Sequence, residues 1–376
     1  MITRKPFVSL LTAFAAVAAG MAFADAIQVQ GTAAQNTATI QAAIDAAAIA
    51  ATPGTVTLGE GVFEIDAQLM VTGGVTLVGQ GWGKTTLKQT TSGQRVVTVG
   101  DAAKLEGVTV TGGKVSTTWM YGAGVFIDGG RVSNCRVTGN GSSATGAGGV
   151  GVGFAKGSID HCIIDNNRST GASTVGGGIG MDKPSAEVFV DACLIYGNFA
   201  KNGGGIGAAF DGVHNLVTVR NTTIVANTSE NGCALYERQH NDNKHFDLKL
   251  VNCVLADNVS GDVDAVVITS YAGDAAAAAA RTGCEAQSFG NVLDNGVSFG
   301  ANSTTVAGSG ATWFVDAGEG DYHLAAGAPA IGAGTAYEGI DTDLDGIAFN
   351  GETPSAGCYE FGEPVVEKKG VIFVIW

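Results

Sequence analysis

The chain has 376 residues, enough for one large domain or two ordinary ones, and its 58 glycines against 6 prolines require many tight turns. With 35 acidic against 20 basic residues and a formal charge of −15, it would repel nucleic acid and anionic membrane surfaces. A polyanionic substrate would need a bridging cation, although the same charge also serves simply to keep an exported protein soluble.

Arg4 and Lys5 precede the apolar run FVSLLTAFAAVAAGM, and Ala22, Phe23 and Ala24 follow it. This is the charge, core and small-residue order of a secretory signal, so residues 1–24 are expected to be removed and the protein exported. The run is too short, and too promptly followed by polar sequence, to span a membrane, and no span is expected in the mature chain. Export permits disulfides, but seven cysteines cannot all pair within one chain, and mostly free thiols are expected.

Residues 25–60 read as a cap. Asn36 can cap a helix whose Ile40, Ile44 and Ala47 share one face and which ends before Gly54. Such a helix covers the open edge that a stack of strands would otherwise expose.

Residues 61–312 carry a repeat. VSNCRVTGN from Val132 returns as IDHCIIDNN from Ile159, VDACLIYGN from Val190, VRNTTIVAN from Val219 and LVNCVLADN from Leu250, at spacings of 27, 31, 29 and 31 residues. A divergent copy, LEGVTVTGG, starts at Leu105. Repetition at this period marks a solenoid whose units bury their apolar faces only against their neighbours. Val132, Ile159, Val190, Val219 and Leu250 form one aliphatic column, and Val137, Ile164, Ile195, Ile224 and Leu255 form another five places on. Side chains alternate along a strand, so an odd separation requires a corner between the two columns. The residues at that corner, Asn134, His161, Ala192, Asn221 and Asn252, include three asparagines, which tolerate the left-handed backbone a bend needs.

The cysteines beside the corner then face inward as packing residues. Asn140, Asn167, Asn198, Asn227 and Asn258 mark a second corner, where stacked amides can bond from coil to coil. The glycine clusters ending at Val152, Met181 and Ala208 mark a third. The fold class that follows is all-β: a single-stranded right-handed parallel β-helix with an N-terminal cap helix and a C-terminal β/loop region packed on it.

Three stretches carry resemblances. The segment from Asn36 through Gln89 resembles the opening of pectate-lyase-superfamily β-helix proteins, in which an amphipathic helix covers the first coil. The repeats, with GGGIG twice, partly resemble polymorphic outer-membrane proteins, which implies a surface role. LADNVSGDVDAVV, CEAQSFGNVLDNG and the stretch from Tyr322 to Phe361 are similar to the C-terminal region of choice-of-anchor β-helix proteins. Here Gly332 stands where that family has aspartate, and SAGCYEF replaces its usual Asp-Ile ending.

Several groups can carry chemistry. Two places before the cysteines, Ser133, Asp160, Asp191, Arg220 and Val251 form an outward column. Asp160 and Asp191 would stack about 4.8 Å apart with Arg220 one coil on. Pectate-lyase-like sites use such a cluster, carboxylates for calcium and a base for proton abstraction; the plainer reading is an Asp191–Arg220 ion pair. Tyr236, Arg238, His240 and His245 gather in a long loop and could meet a glycan, with Tyr236 or Phe246 as a stacking plane. Asp341, Asp343, Asp345, Gly346 and Glu352 satisfy the D-x-D-x-D-G-x5-E pattern of a Ca2+ loop, but loop-like flanks replace the helices of an EF-hand.

The column Arg136, Ile163, Leu194, Thr223, Val254, with Tyr196 and Val225, leaves apolar surface that an exported protein should cover. Residues 313–362, or a partner, are expected to pack there, and the tail 363–376 is expected to dock as a final strand. No nucleophile elbow, phosphate-binding loop or zinc spacing is present. The sequence thus points to an exported, cell-surface β-helix with a non-catalytic adhesion, scaffolding or glycan-interaction role, its partner an extracellular polysaccharide or envelope component. The alternative is a polysaccharide lyase or glycoside hydrolase, assisted by calcium.

Overall fold

The computed structural model describes residues 25–118, 120–145, 148–182, 186–210, 215–239, 246–260, 266–270 and 282–362. The expected signal, 1–24, and the expected docking strand, the tail 363–376, lie outside the described residues. Successive coils wind in parallel around one apolar core. Two walls belong to a 14-stranded sheet that bends, and the third is a 10-stranded sheet.

The expected columns are the observed ones. Val132, Ile159, Val190, Val219 and Leu250 pair in unbroken register and are fully buried. Val137, Ile164, Ile195, Ile224 and Leu255 do the same on the 10-stranded wall. Between them the chain turns through a left-handed residue in every coil: φ is 51° at Asn134, 49° at His161, 48° at Ala192, 42° at Asn221 and 53° at Asn252. All seven cysteines are buried free thiols. Burial pushes Cys253 and Cys358 up to about 12, which suppresses the thiolate and leaves these side chains as packing groups.

The second corner is held by a ladder of amides. Asn140 Nδ2 donates to Asn167 Oδ1, Asn167 Nδ2 to Asn198 Oδ1, Asn198 Nδ2 to Asn227 Oδ1 and Asn227 Nδ2 to Asn258 Oδ1, each at 3.0 Å. Each Oδ1 also accepts a backbone N–H from the coil before it, as Asn198 Oδ1 does from Asn167 N at 3.0 Å. The other Nδ2 hydrogen goes to a strand carbonyl, as from Asn167 to Val137 O at 2.9 Å. Every donor and acceptor of an interior rung is therefore satisfied without water, which makes the ladder specific as well as stabilising.

The cap helix runs Ala33–Ala48 and lays Ile40, Ala43 and Ile44 over the first coil. Its cap is Thr32, whose Oγ1 accepts from Gln35 N, and not Asn36 as the sequence suggested. Asn36 is instead buried inside the first turn. There it accepts from Gln30 N at 2.7 Å and donates to Glu64 O at 2.9 Å, fastening the helix to the solenoid.

The C-terminal segment packs on the outer face of the 10-stranded wall. Leu194, Val225 and Val254 form one buried cluster with Trp313, Phe314, Tyr322, Leu324 and Tyr359. Tyr322 lies 5.0 Å from the Tyr196 ring and 5.3 Å, edge-on, from Phe314. Burial of each such aliphatic side chain stabilises by about 1.5–3 kcal/mol, so the apolar outer column is explained by its cover.

Asn167→Ala should destabilise the protein by about 2 kcal/mol in urea denaturation, because it removes one buried hydrogen-bond partner from each of the Asn140 and Asn198 amides and one from the Asn140 backbone N–H. A loss no larger than that of an exposed Asn→Ala change would show that the ladder does not hold the coils.

Candidate functional site

The outward column beside Val132 and its register partners, on the second wall, which belongs to the 14-stranded sheet, forms the floor of a cleft. Ser133, Asp160, Asp191, Arg220 and Val251 lie on one register line across five coils. Arg131, two residues before Ser133 on the same strand face, donates from Nε to Asp160 Oδ1 at 2.6 Å and from Nη2 to Oδ2 at 2.9 Å. Ser133 Oγ donates to the same carboxylate at 2.7 Å. Arg220 Nε donates to Asp191 Oδ1 at 2.7 Å, and its Nη2 donates to Oδ2. Asp160 thus takes a two-pronged guanidinium from the coil before it, and Asp191 takes one from the coil after it. The two aspartates, neighbours in register, are each neutralised on the side away from the other.

The roof comes from the C-terminal segment. His161, at its left-handed corner, places Nδ1 3.0 Å from Asp160 Oδ2 and Nε2 3.1 Å from Thr342 O. Gly339 crosses Arg220 with φ 105°, where a Cβ would stand 3.0 Å from the guanidinium, so only glycine passes without displacing it. The Arg220 guanidinium lies 5.4 Å from the Phe189 ring centroid and 5.7 Å from that of Tyr337. Floor and roof enclose a cleft of about 400 Å³, lined by Arg131, Asp160, His161, Phe189, Asp191 and Arg220 below and by residues 339–342 above.

The two carboxylates are driven in opposite directions. Burial alone would raise Asp160, but hydrogen bonds from His161, Arg131 and Ser133 together hold it well below the usual carboxylate range. At Asp191 burial wins and pushes the carboxyl above its ordinary value, with Arg220 offsetting part of the effect. The hydrogen bond to Asp160 raises His161, which favours an imidazolium that donates to both Asp160 and Thr342.

Asp160, Asp191 and Arg220 are therefore brought together as the register requires. Arg131 and His161 complete the site. The alternation of side chains could have singled out Arg131, because it shares a face with Ser133. The role of His161 depends on Thr342, 181 residues away, which no repeat could indicate.

The acidic turn is put to other uses. Asp343 is buried; its Oδ1 accepts from Asp345 N and Ile347 N, and its Oδ2 accepts from Glu360 N. Asp345 Oδ2 meets His323 Nε2 at 2.7 Å, Asp341 lies at the cleft, and Glu352 is exposed with its backbone N–H on Asn350 Oδ1. Among the described residues no three His, Cys, Asp or Glu side chains gather as a metal site. In this arrangement Asp343 and Asp345 are engaged in hydrogen bonds within the segment, and Asp341, Asp343, Asp345 and Glu352 are not gathered to fit a Ca2+ cage. Tyr236 and Arg238 lie on the strand Leu235–Gln239, paired in register with Gly207 and Ala209. His240 and His245 lie outside the described residues.

The sequence model of one family, described as rhamnogalacturonase A/epimerase, pectate lyase-like, matches residues 29–255. The crystal structure of pectate lyase Pel9A is similar at a TM-score of 0.47 and 16% identity, covering 85% of this chain and 90% of that one. No curated protein matches the sequence.

A carboxylate depressed in the folded state contributes stability above its unfolded value, near 3.9, and that contribution is lost as pH falls toward the folded value. Asp160→Asn should accordingly be less stable than wild type at pH 6, with the gap closing between about pH 5 and pH 2 in urea denaturation. A gap independent of pH would show that Asp160 carries no linked charge.

Proposed function

The chain belongs to the rhamnogalacturonase A/epimerase, pectate lyase-like family, and from that premise we propose that it is an exported polysaccharide-binding β-helix that holds saccharide without cleaving it. One observation carries this reading: both cleft aspartates are already paired through two oxygens with arginines. A general acid or base must reach the glycosidic oxygen or an attacking water, and these carboxylates are committed elsewhere. Arg131, whose side chain is 55% exposed, keeps guanidinium edge free for sugar hydroxyl or uronate oxygens. Arg131, Arg220 and His161 offset Asp160, Asp191 and Asp341, so the cleft is near neutral in a chain of charge −15. A uronic-acid polymer then needs no bridging cation there. Surface attachment remains part of the proposal on sequence resemblance alone.

The second reading, a polysaccharide lyase or glycoside hydrolase, is favoured by the opposed shifts of Asp160 and Asp191, since divergent carboxylates are what acid–base chemistry requires. The two readings separate on a panel of neutral and uronic-acid polysaccharides, assayed with and without calcium. Binding by wild type, weakened about tenfold in Arg131→Ala, with no new reducing ends or unsaturated products, supports the binding protein. Chain cleavage that disappears in Asp191→Asn would overturn it in favour of the enzyme.

A further inference from the structure

Three residues of the corner column, His161, Asn221 and Asn252, lie against the C-terminal segment, and two of them are latched to it. His161 reaches Thr342, while Asn252 donates from Nδ2 to Thr335 O and accepts at Oδ1 from Thr335 N, both at 2.9 Å. Asn221, one coil before Asn252, is 4% exposed, yet among the described residues its carboxamide has no hydrogen-bond partner. It lines a separate cavity of about 280 Å³ with Tyr337, Glu338, Asp341, Phe349 and Asn350. This cavity shares only Ile340 and Asp341 with the arginine-lined cleft.

We infer that this cavity is a binding site for a single neutral sugar ring, with the Asn221 carboxamide at its floor. The Asn221 carboxamide opens on this cavity with no protein partner among the described residues, and it offers two donors and an acceptor to whatever fills it. Glu338 and Asp341 accept from hydroxyls and repel an anion. The Tyr337 and Phe349 rings suit the C–H face of a pyranose. A metal ion would leave the Asn221 N–H groups unsatisfied, and an apolar ligand would leave the carboxylates so. Alternating hydroxyl and C–H surfaces answer both requirements at once. The volume lies at the lower end of small-molecule sites, matching one ring and not a chain.

Tyr337 is held in place for this role. Its ring is 5.8 Å from Phe289, and Lys249 Nζ sits 5.0 Å from its centroid and 3.3 Å from its hydroxyl. The site does not depend on polymer binding in the cleft, and either can fail alone, because the Arg131→Ala comparison reads the cleft separately.

The test is saturation-transfer difference NMR on the full chain with methyl glucoside, methyl galactoside and methyl mannoside, in EDTA. Asn221→Ala is the variant, and Ala192 already holds the same left-handed backbone at φ 48°, so the fold accepts alanine at this corner. The expected result is transfer to ring C–H protons of at least one glycoside, with affinity about tenfold weaker in Asn221→Ala. No transfer from any of the three to wild type, or equal affinity in wild type and variant, would overturn the inference. Transfer that appears only when calcium replaces EDTA would overturn it as well.

Discussion

Parallel, in-register pairing between successive coils is the constraint on which the rest of the structure depends. Because the strands of the coils hydrogen-bond their counterparts one coil away, residues about thirty apart in sequence become neighbours in a column. The Asn140–Asn258 ladder fixes that register, since a slip by one residue would bury amide groups without partners. The aliphatic columns alone would tolerate more error, because one β-branched side chain packs much like another. Register then dictates chemistry: Asp160, Asp191 and Arg220 meet only because like positions stack.

What the solenoid presents, the C-terminal segment completes. It covers the apolar outer column, and the same chain then crosses the second wall to roof the charged one. Gly339 over Arg220 and Thr342 on His161 convert a row of surface ion pairs into a partly enclosed cleft. Enclosure changes the electrostatics as well. An exposed ion pair contributes little, whereas Asp191 and Arg220 are each only 13% exposed and removing either partner would strand a buried charge. Parallel β-helices host many activities, so function has to be argued from this cleft and not from the winding of the chain.

Sequence and structure agree where the governing signal is periodic. The buried columns, the left-handed corner, the inward cysteines and the amide ladder all follow from a repeat of about thirty residues combined with alternation along a strand. The need for a cover over Leu194, Val225 and Val254 was legible for the same reason, since an apolar outward column has to be buried by something. Disagreements arise where local pattern competes with tertiary contact. Asn36 has the chemistry of a helix cap, but Thr32 takes that role because Asn36 is needed to bond Gln30 and Glu64. The acidic turn has the spacing of a cation loop, yet Asp343 is consumed by backbone N–H groups that only the folded segment brings to it. His161 and Asn221 share one corner column, and their different fates are set by which residues of a distant segment lie over them.

The most direct measurement of the central claim is a charge-swap cycle between adjacent coils. If Asp191 and Arg220 occupy one register line, Asp191→Arg and Arg220→Asp should each destabilise the protein strongly, by about 3–5 kcal/mol, as expected for an unpaired buried charge. The double swap should cost less than the sum of the two single losses, with a coupling energy of about 1–3 kcal/mol in urea denaturation. Additive losses in the double variant would mean that the two residues do not meet, and the stacking of coils described above would be contradicted.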